Sequence, residues 1–267
     1  MLLARATWSS PPVVLCAAGL AAVLFAQGWL RLRRRGRPDL ASWNRAALFA
    51  VGLAVALAGL VTPIDSLGDH DLLSMHMLQH VLIGDVAPAL TITAVRGPLL
   101  VFLLPAAVLA PIARNGVVRA ALGTLLRPRV ALALWAANLA LWHSPSFYDA
   151  ALAHPLLHDF EHACWLLAGL LAWTLLVDPG SHRRLTVGGR VAMAAAMFAG
   201  GQVLTDVLVF SFHRLYPSYV GAYGLSPVTD QQLAGVTMMV DQLLTLGVLA
   251  FFLLRPRLRR DARLAAA

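Results

Sequence analysis

Apolar residues run almost unbroken through seven stretches of this chain, at about 13–30, 45–62, 72–94, 130–147, 157–177, 190–211 and 230–254. Each approaches the roughly 20 residues a helix needs to cross a bilayer. None alternates as a barrel strand would. Backbone exposed to lipid must bond within its own segment, so all seven are expected to be helical. Breakers separate them at Thr62-Pro63, Gly97-Pro98, Arg127-Pro128, Asp178-Pro179-Gly180 and Tyr216-Pro217. The expected fold is all-α: one polytopic transmembrane bundle over 1–267, with about seven spanning helices.

The segment 98–113 is apolar but short, and Pro105 and Pro111 cut it. Charge decides how it is read. The chain carries 21 basic residues, all of them arginine, in the short loops between apolar runs. If 98–113 does not cross, every arginine except Arg5 and Arg214 falls on one side of the membrane. If it crosses, that asymmetry collapses. The segment is therefore expected to be re-entrant or interfacial, with an amphipathic surface helix at Val117 to Leu126. The arginine-rich side is expected to be cytoplasmic, with the N-terminus outside and the C-terminus in the cytoplasm.

Composition agrees with this picture. The chain is 59% hydrophobic and 13% charged, against about 25% charged in a soluble domain, and its mean hydropathy is +0.72. The net charge of +8 sets topology and does not mark a nucleic-acid binder. The first apolar run precedes its arginines, the reverse of a secretory signal. Cys16 and Cys164 have no CxxC spacing and give neither a disulfide framework nor a thiolate site.

Nine histidines interrupt the hydrocarbon. With the topology taken from arginine alone, eight of them fall toward the outer side. His70, His76 and His80 lie at the outer end of the third span, His143 in the outer part of the fourth, His154, His158 and His162 at the start of the fifth, and His213 at the end of the sixth. Only His182 is cytoplasmic. His76 and His80 are four residues apart, hence on one helical face, and so are His158 and His162. Isolated interfacial histidines such as His70, His154 and His213 read as ordinary headgroup-facing side chains. Paired imidazoles inside spans are costly and read as functional. They point to a metal or haem site, with His143 as a fifth contributor. Nearby Met75 and Met77 add thioethers, and thioether with imidazole suits Cu(I).

Asp85, Asp206 and Asp241 also fall within spans. Asp241 lies close to three turns beyond Asp230, on the same face. Gln202, Asp206 and His213 share a stripe. Two readings stay open for Asp206 and Asp241: a polar path for protons or a cation, and interhelical hydrogen bonding. Asp85 lies roughly opposite His80 on a helical wheel and reads as structural or gating. Met238 reads first as packing. Tyr148, Tyr216, Tyr219, Tyr223, Trp142 and Trp165 read as an outer aromatic belt.

Four stretches carry a further signal: HMLQHVLIGDVAPAL from His76, LWHSPSFYDAAL from Leu141, HDFEHACWLLAGLLAW from His158 and LYPSYVGAYGLSPVTDQQLAGVTMMV from Leu215. In order and spacing they resemble the CtaG-type cytochrome c oxidase assembly factors, polytopic membrane proteins of haem-copper oxidase maturation. The resemblance implies His76, Gln79, His80, His143, His158, Glu161, His162, Asp230, Gln231 and Met238 as the residues that matter. It also implies an oxidase subunit or another assembly factor as partner, in the plasma membrane of a bacterium, with copper as the handled metal.

The expected function is thus respiratory-chain biogenesis without enzymatic turnover. Copper would be held by His76, His80, His143, His158 and His162, with Glu161 and Asp230 orienting the imidazoles. Three rivals remain: a noncovalent haem protein, a copper or proton transporter using Asp206 and Asp241, and a scaffold that only grips an oxidase subunit.

Overall fold

The computed structural model describes residues 6–265, with side chains as far as Pro256. Arg5 and the side chains of Arg257, Arg259, Arg260 and Arg263 lie outside the described residues. The described chain is helical, with no strand. In order, the helices are α1 (Pro12–Arg34), α2 (Trp43–Val61), α3 (Pro63–His70), α4 (Leu73–Ala94), α5 (Pro98–Phe102), α6 (Ala106–Arg114), α7 (Gly116–Leu125), α8 (Pro128–Trp142), α9 (Pro145–Ala153), α10 (Pro155–Val177), α11 (Val187–Phe210) and α12 (Pro227–Pro256). Six of these, α1, α2, α4, α10, α11 and α12, are long and apolar enough to cross a membrane. The chain is an integral membrane protein.

The fourth expected span, 130–147, is two helices. Ser144 precedes Pro145, and a residue before proline is pushed out of the helical region; its ψ of 125° is extended. Helix α8 is left with 15 residues, about 22 Å at 1.5 Å per residue. It packs along the second half of α10. Ala131, near its start, packs with Trp173 and Leu176 at the end of α10. His143, just past its end, packs on Trp165 in the middle of α10. The bundle has two ends. One end carries α3, α9 and the loop 211–226, and is called here the histidine end. The other is the arginine end.

The segment 98–113 stays at the arginine end. The Gly97 amide donates to the Pro179 carbonyl at 2.6 Å, and Arg184 donates to the Leu126 carbonyl at 3.3 Å, so both flanks meet the same loop. Pro105 splits the segment into α5 and α6. Helix α5 seats on α1 at Gly28, where a Cβ would lie 2.9 Å from the Phe102 carbonyl oxygen. Helix α7 is the expected surface helix, and Asn115 caps it by accepting from the Val117 and Val118 amides.

Helix α4 is not a plain α-helix. Pro88 has no N–H for the Gly84 carbonyl, and its ring crowds that carbonyl. The helix widens there into a π-turn over Leu82–Val86, where the Ala87 amide bonds back to Leu82. The Gly84 carbonyl is left open on the helix flank. Gly169 of α10 packs directly on it, so closely that a Cβ there would fall on the oxygen. The two backbones meet at glycine, as small residues permit in membranes. A second π-turn, Leu243–Gly247, lies in α12.

Candidate metal centre

The glycine contact fixes the site above it. His80 is one turn before Gly84 on α4, and Trp165 is one turn before Gly169 on α10. Once Gly84 and Gly169 touch, the histidine faces of the two helices are held at one depth. The His80 ring lies 5.2 Å from the Trp165 ring and 5.6 Å from His162. His76 lies 4.3 Å from His80 and 5.3 Å from His158. The four paired histidines of α4 and α10 thus face each other.

Helix α4 needs a firm start to hold His76 there, and Asp230 of α12 supplies it. Its carboxyl accepts from the Leu73 amide at 2.6 Å, from the Ser74 amide at 3.1 Å and from the Ser74 hydroxyl. These are the unpaired donors of a helix N-terminus, capped by another helix. Asp230 is expected from sequence to orient an imidazole; it instead anchors the helix that carries two of them.

Two overlapping triads result. Ligand atoms of His76, His80 and His162 lie within 4.8 Å of one another, and so do those of Asp69, His76 and His158. His76 belongs to both. The inner triad is deeply buried, and His76 is 0% exposed. In the outer triad Asp69 and His158 are half-buried, with 3.5 Å between Asp69 Oδ1 and His158 Nε2. Glu161 lies below, 3.4 Å from His80 Nε2, without hydrogen-bond alignment. Both ring nitrogens of His76 and of His80, Nε2 of His158 and of His162, and both Glu161 oxygens are buried with no hydrogen-bond partner. Buried polar groups are normally paired. So many unpaired polar atoms, with ligand atoms gathered in two adjoining triads, fit a bound cation.

His143 stands to one side. Its Nδ1 bonds the Leu139 carbonyl at 2.9 Å and its Nε2 lies 3.2 Å from the Met77 sulfur. Its ring is 6.4 Å from His80 and is outside both triads. Gln79 donates to Asp65 at 2.7 Å and ties α4 to α3. Gln231 accepts from the Leu215 amide at 2.9 Å and holds the loop before α12. Met238 packs in the core with Met77, Tyr148 and Leu208. Asp206 lies on the exposed face of α11, bonded to Gln202 at 2.7 Å. Asp241 lies inside the bundle beside Asp85. His70 bonds the Ser66 carbonyl outside the cluster.

The aromatic residues correct the expected belt. Tyr148, Tyr216, Tyr219, Trp142 and Trp165 are buried, and the three phenols find polar partners over the site. Tyr216 donates to the His143 carbonyl at 2.8 Å. Tyr219 donates to the Gly68 carbonyl and its oxygen lies 2.9 Å from that of Tyr148. The Tyr148 ring lies 4.9 Å from that of His76. Three phenols thus roof the cluster, and Ser218, bonded to Asp149 at 2.6 Å, pins the loop that carries two of them.

Asp69 has no sequence signature of its own. It precedes His76 by seven residues, and the break at Asp71-Leu72 folds it back onto the histidines. Burial, with the nearby Asp65 charge adding to it, pushes its carboxyl up to about 7. The folded protein then holds this proton more tightly than the unfolded chain does. Its contribution to stability falls as pH rises from about 4 to about 7 and is flat above. Metal-free Asp69→Asn is expected to melt with wild type at pH 4 and above it at pH 8. The difference is at most about 4 kcal/mol at 1.36 kcal/mol per unit. Melting curves in detergent with chelator check this; equal melting at both values would remove the burial penalty.

No curated protein and no solved structure matches this chain. The family model described as cytochrome c oxidase caa3 assembly factor matches residues 23–260, which include every helix that builds the cluster, and the chain belongs to that family.

Proposed function

We propose that this protein serves oxidase assembly by holding copper at the histidine cluster, without catalysing a reaction. The observation that carries the reading is the set of unpartnered buried imidazole nitrogens on α4 and α10. Imidazole suits copper, and three nitrogens within 4.8 Å can converge on one small ion. The half-buried Asp69 and His158 form the way in, and His76 passes the ion to the inner triad. Such exchangeable ligands suit a protein that hands metal to an oxidase subunit or another assembly factor. By the arginine asymmetry the histidine end faces outward, with the N-terminus outside and the C-terminus cytoplasmic, in a bacterial plasma membrane.

A haem fits these residues less well. The chamber beside His80 and His143 measures about 60 Å³, too little for a porphyrin. The test is metal analysis and visible spectroscopy on the purified protein. Wild type is expected to carry about one copper per chain, as one converging set of nitrogens implies. His76→Ala/His80→Ala is expected to carry none while still folding. A wild-type protein that takes no copper under reducing or oxidising conditions, or one that shows a haem band, overturns the reading.

A further inference from the structure

Below the histidines, two acids face each other in the middle of the bundle. Asp85 lies in the π-turn of α4. Asp241 lies just before the π-turn of α12, whose Thr245 reaches back to Asp85. Asp85 accepts from Trp173 Nε1 and, at 3.1 Å, from the Thr245 hydroxyl. Both carboxyls line one chamber, and Thr245 spans the two residues, its hydroxyl also lying 2.8 Å from the Asp241 backbone carbonyl. Charges are costly at this depth, and two adjacent carboxyls cannot both ionise cheaply. At least one of the two is therefore expected to keep its proton.

Two cavities meet at Asp241. The chamber of about 60 Å³ is lined by His80, His143, Asp85, Asp241 and Gln242. It has room for a few waters at roughly 10–15 Å³ each. Its polar walls call for them: Asp241 Oδ1 and Gln242 Oε1 are buried without a hydrogen-bond partner, and these residues are 8% and 7% exposed. On the other side Asp241 and Thr245 line a cleft of about 1030 Å³ between α4 and α12, otherwise largely apolar, with Arg96 and Arg190 at its far end. Asp241 borders both spaces.

We propose that Asp85 and Asp241 form a proton-exchanging carboxyl pair that trades one proton with water in the chamber beneath the histidines. The proton leaves a carboxyl oxygen for a chamber water. The remaining charge is held by the Trp173 N–H and the Thr245 hydroxyl, and the return transfer restores the pair. The other titratable or charged groups on these two spaces are His80 and His143 above and Arg96 and Arg190 below. The widened turns serve the pair. The α4 turn brings Asp85 round to the His80 side, where a regular helix would place it on roughly the opposite face.

The experiment is infrared spectroscopy of the full-length purified protein in H₂O and in D₂O. A protonated carboxyl band is expected that shifts in D₂O and is missing from Asp241→Asn. In Thr245→Val, which keeps both acids and loses one donor, the same band is expected to move. Should Asp241→Asn not fold, the Thr245→Val shift alone decides. The proposal is overturned if no band responds to these variants, or if the responding band ignores D₂O and so reports a locked structural proton. Copper content of the same samples reports separately on the histidine site: the band without copper keeps this inference and removes the metal reading.

Discussion

Asp230→Ala is expected to unseat the start of α4 and to weaken copper binding without touching a ligand. The variant leaves the Leu73 and Ser74 amides and the Ser74 hydroxyl without the carboxyl they now share. Each buried unsatisfied donor costs about 1–3 kcal/mol, so a loss of about 3–5 kcal/mol is expected, the hydroxyl being free to turn elsewhere. His76 follows within the first turn, and its ring placement depends on that turn. Copper affinity should fall about 10- to 100-fold, as it does when groups supporting a metal ligand are removed. Asp230→Asn keeps one acceptor oxygen but turns an amide toward the second N–H, so it should fall between wild type and Asp230→Ala in both readouts. Thermal melting and copper titration in detergent check the ranking. An Asp230→Ala protein with unchanged melting and affinity would show that α4 holds its own start.

The two α4 and α10 histidine pairs were legible because helical spacing puts residues four apart on one face, and because arginine fixed which ends lie together. What spacing alone does not contain is rotation, and the π-turn in α4 changes rotation. On a regular wheel Asp85 falls away from His80; in the structure both line one chamber. Pro88 and Gly84, four apart in the middle of a span, are the trace of that turn in the sequence. The tyrosines misled for a related reason. Tyrosine at a span end has the composition of a lipid belt, and only the loop path brings Tyr216 and Tyr219 back over Tyr148. Asp206 shows the converse. Its intramembrane position looks costly and hence functional, yet a partner one turn away on its own helix, Gln202, satisfies it on the exposed face. Depth was readable from the chain; facing was not.

The contact that sets facing yields the second large effect. Gly169→Val is expected to abolish the folded bundle, and Gly169→Ala to damage it severely. A Cβ at this position lands on the Gly84 carbonyl oxygen and within 3.0 Å of the Pro88 ring. Neither obstacle is a flexible side chain. The oxygen belongs to a π-turn that Pro88 keeps open, and Pro88 is itself buried. Overpacked cores usually lose about 1–3 kcal/mol by shifting side chains; here α4 and α10 must separate, so more than about 3 kcal/mol is expected. Separation would also part His76 and His80 from His162, and copper binding should disappear with it. Gly123, in α7, is the control. Nothing lies within 4 Å of a Cβ there, and Gly123→Ala should stabilise by up to about 1 kcal/mol through helix propensity. If Gly169→Ala melts like Gly123→Ala and keeps its copper, the α4–α10 contact does not position the metal centre, and the histidine pairs must be held together from the tyrosine side.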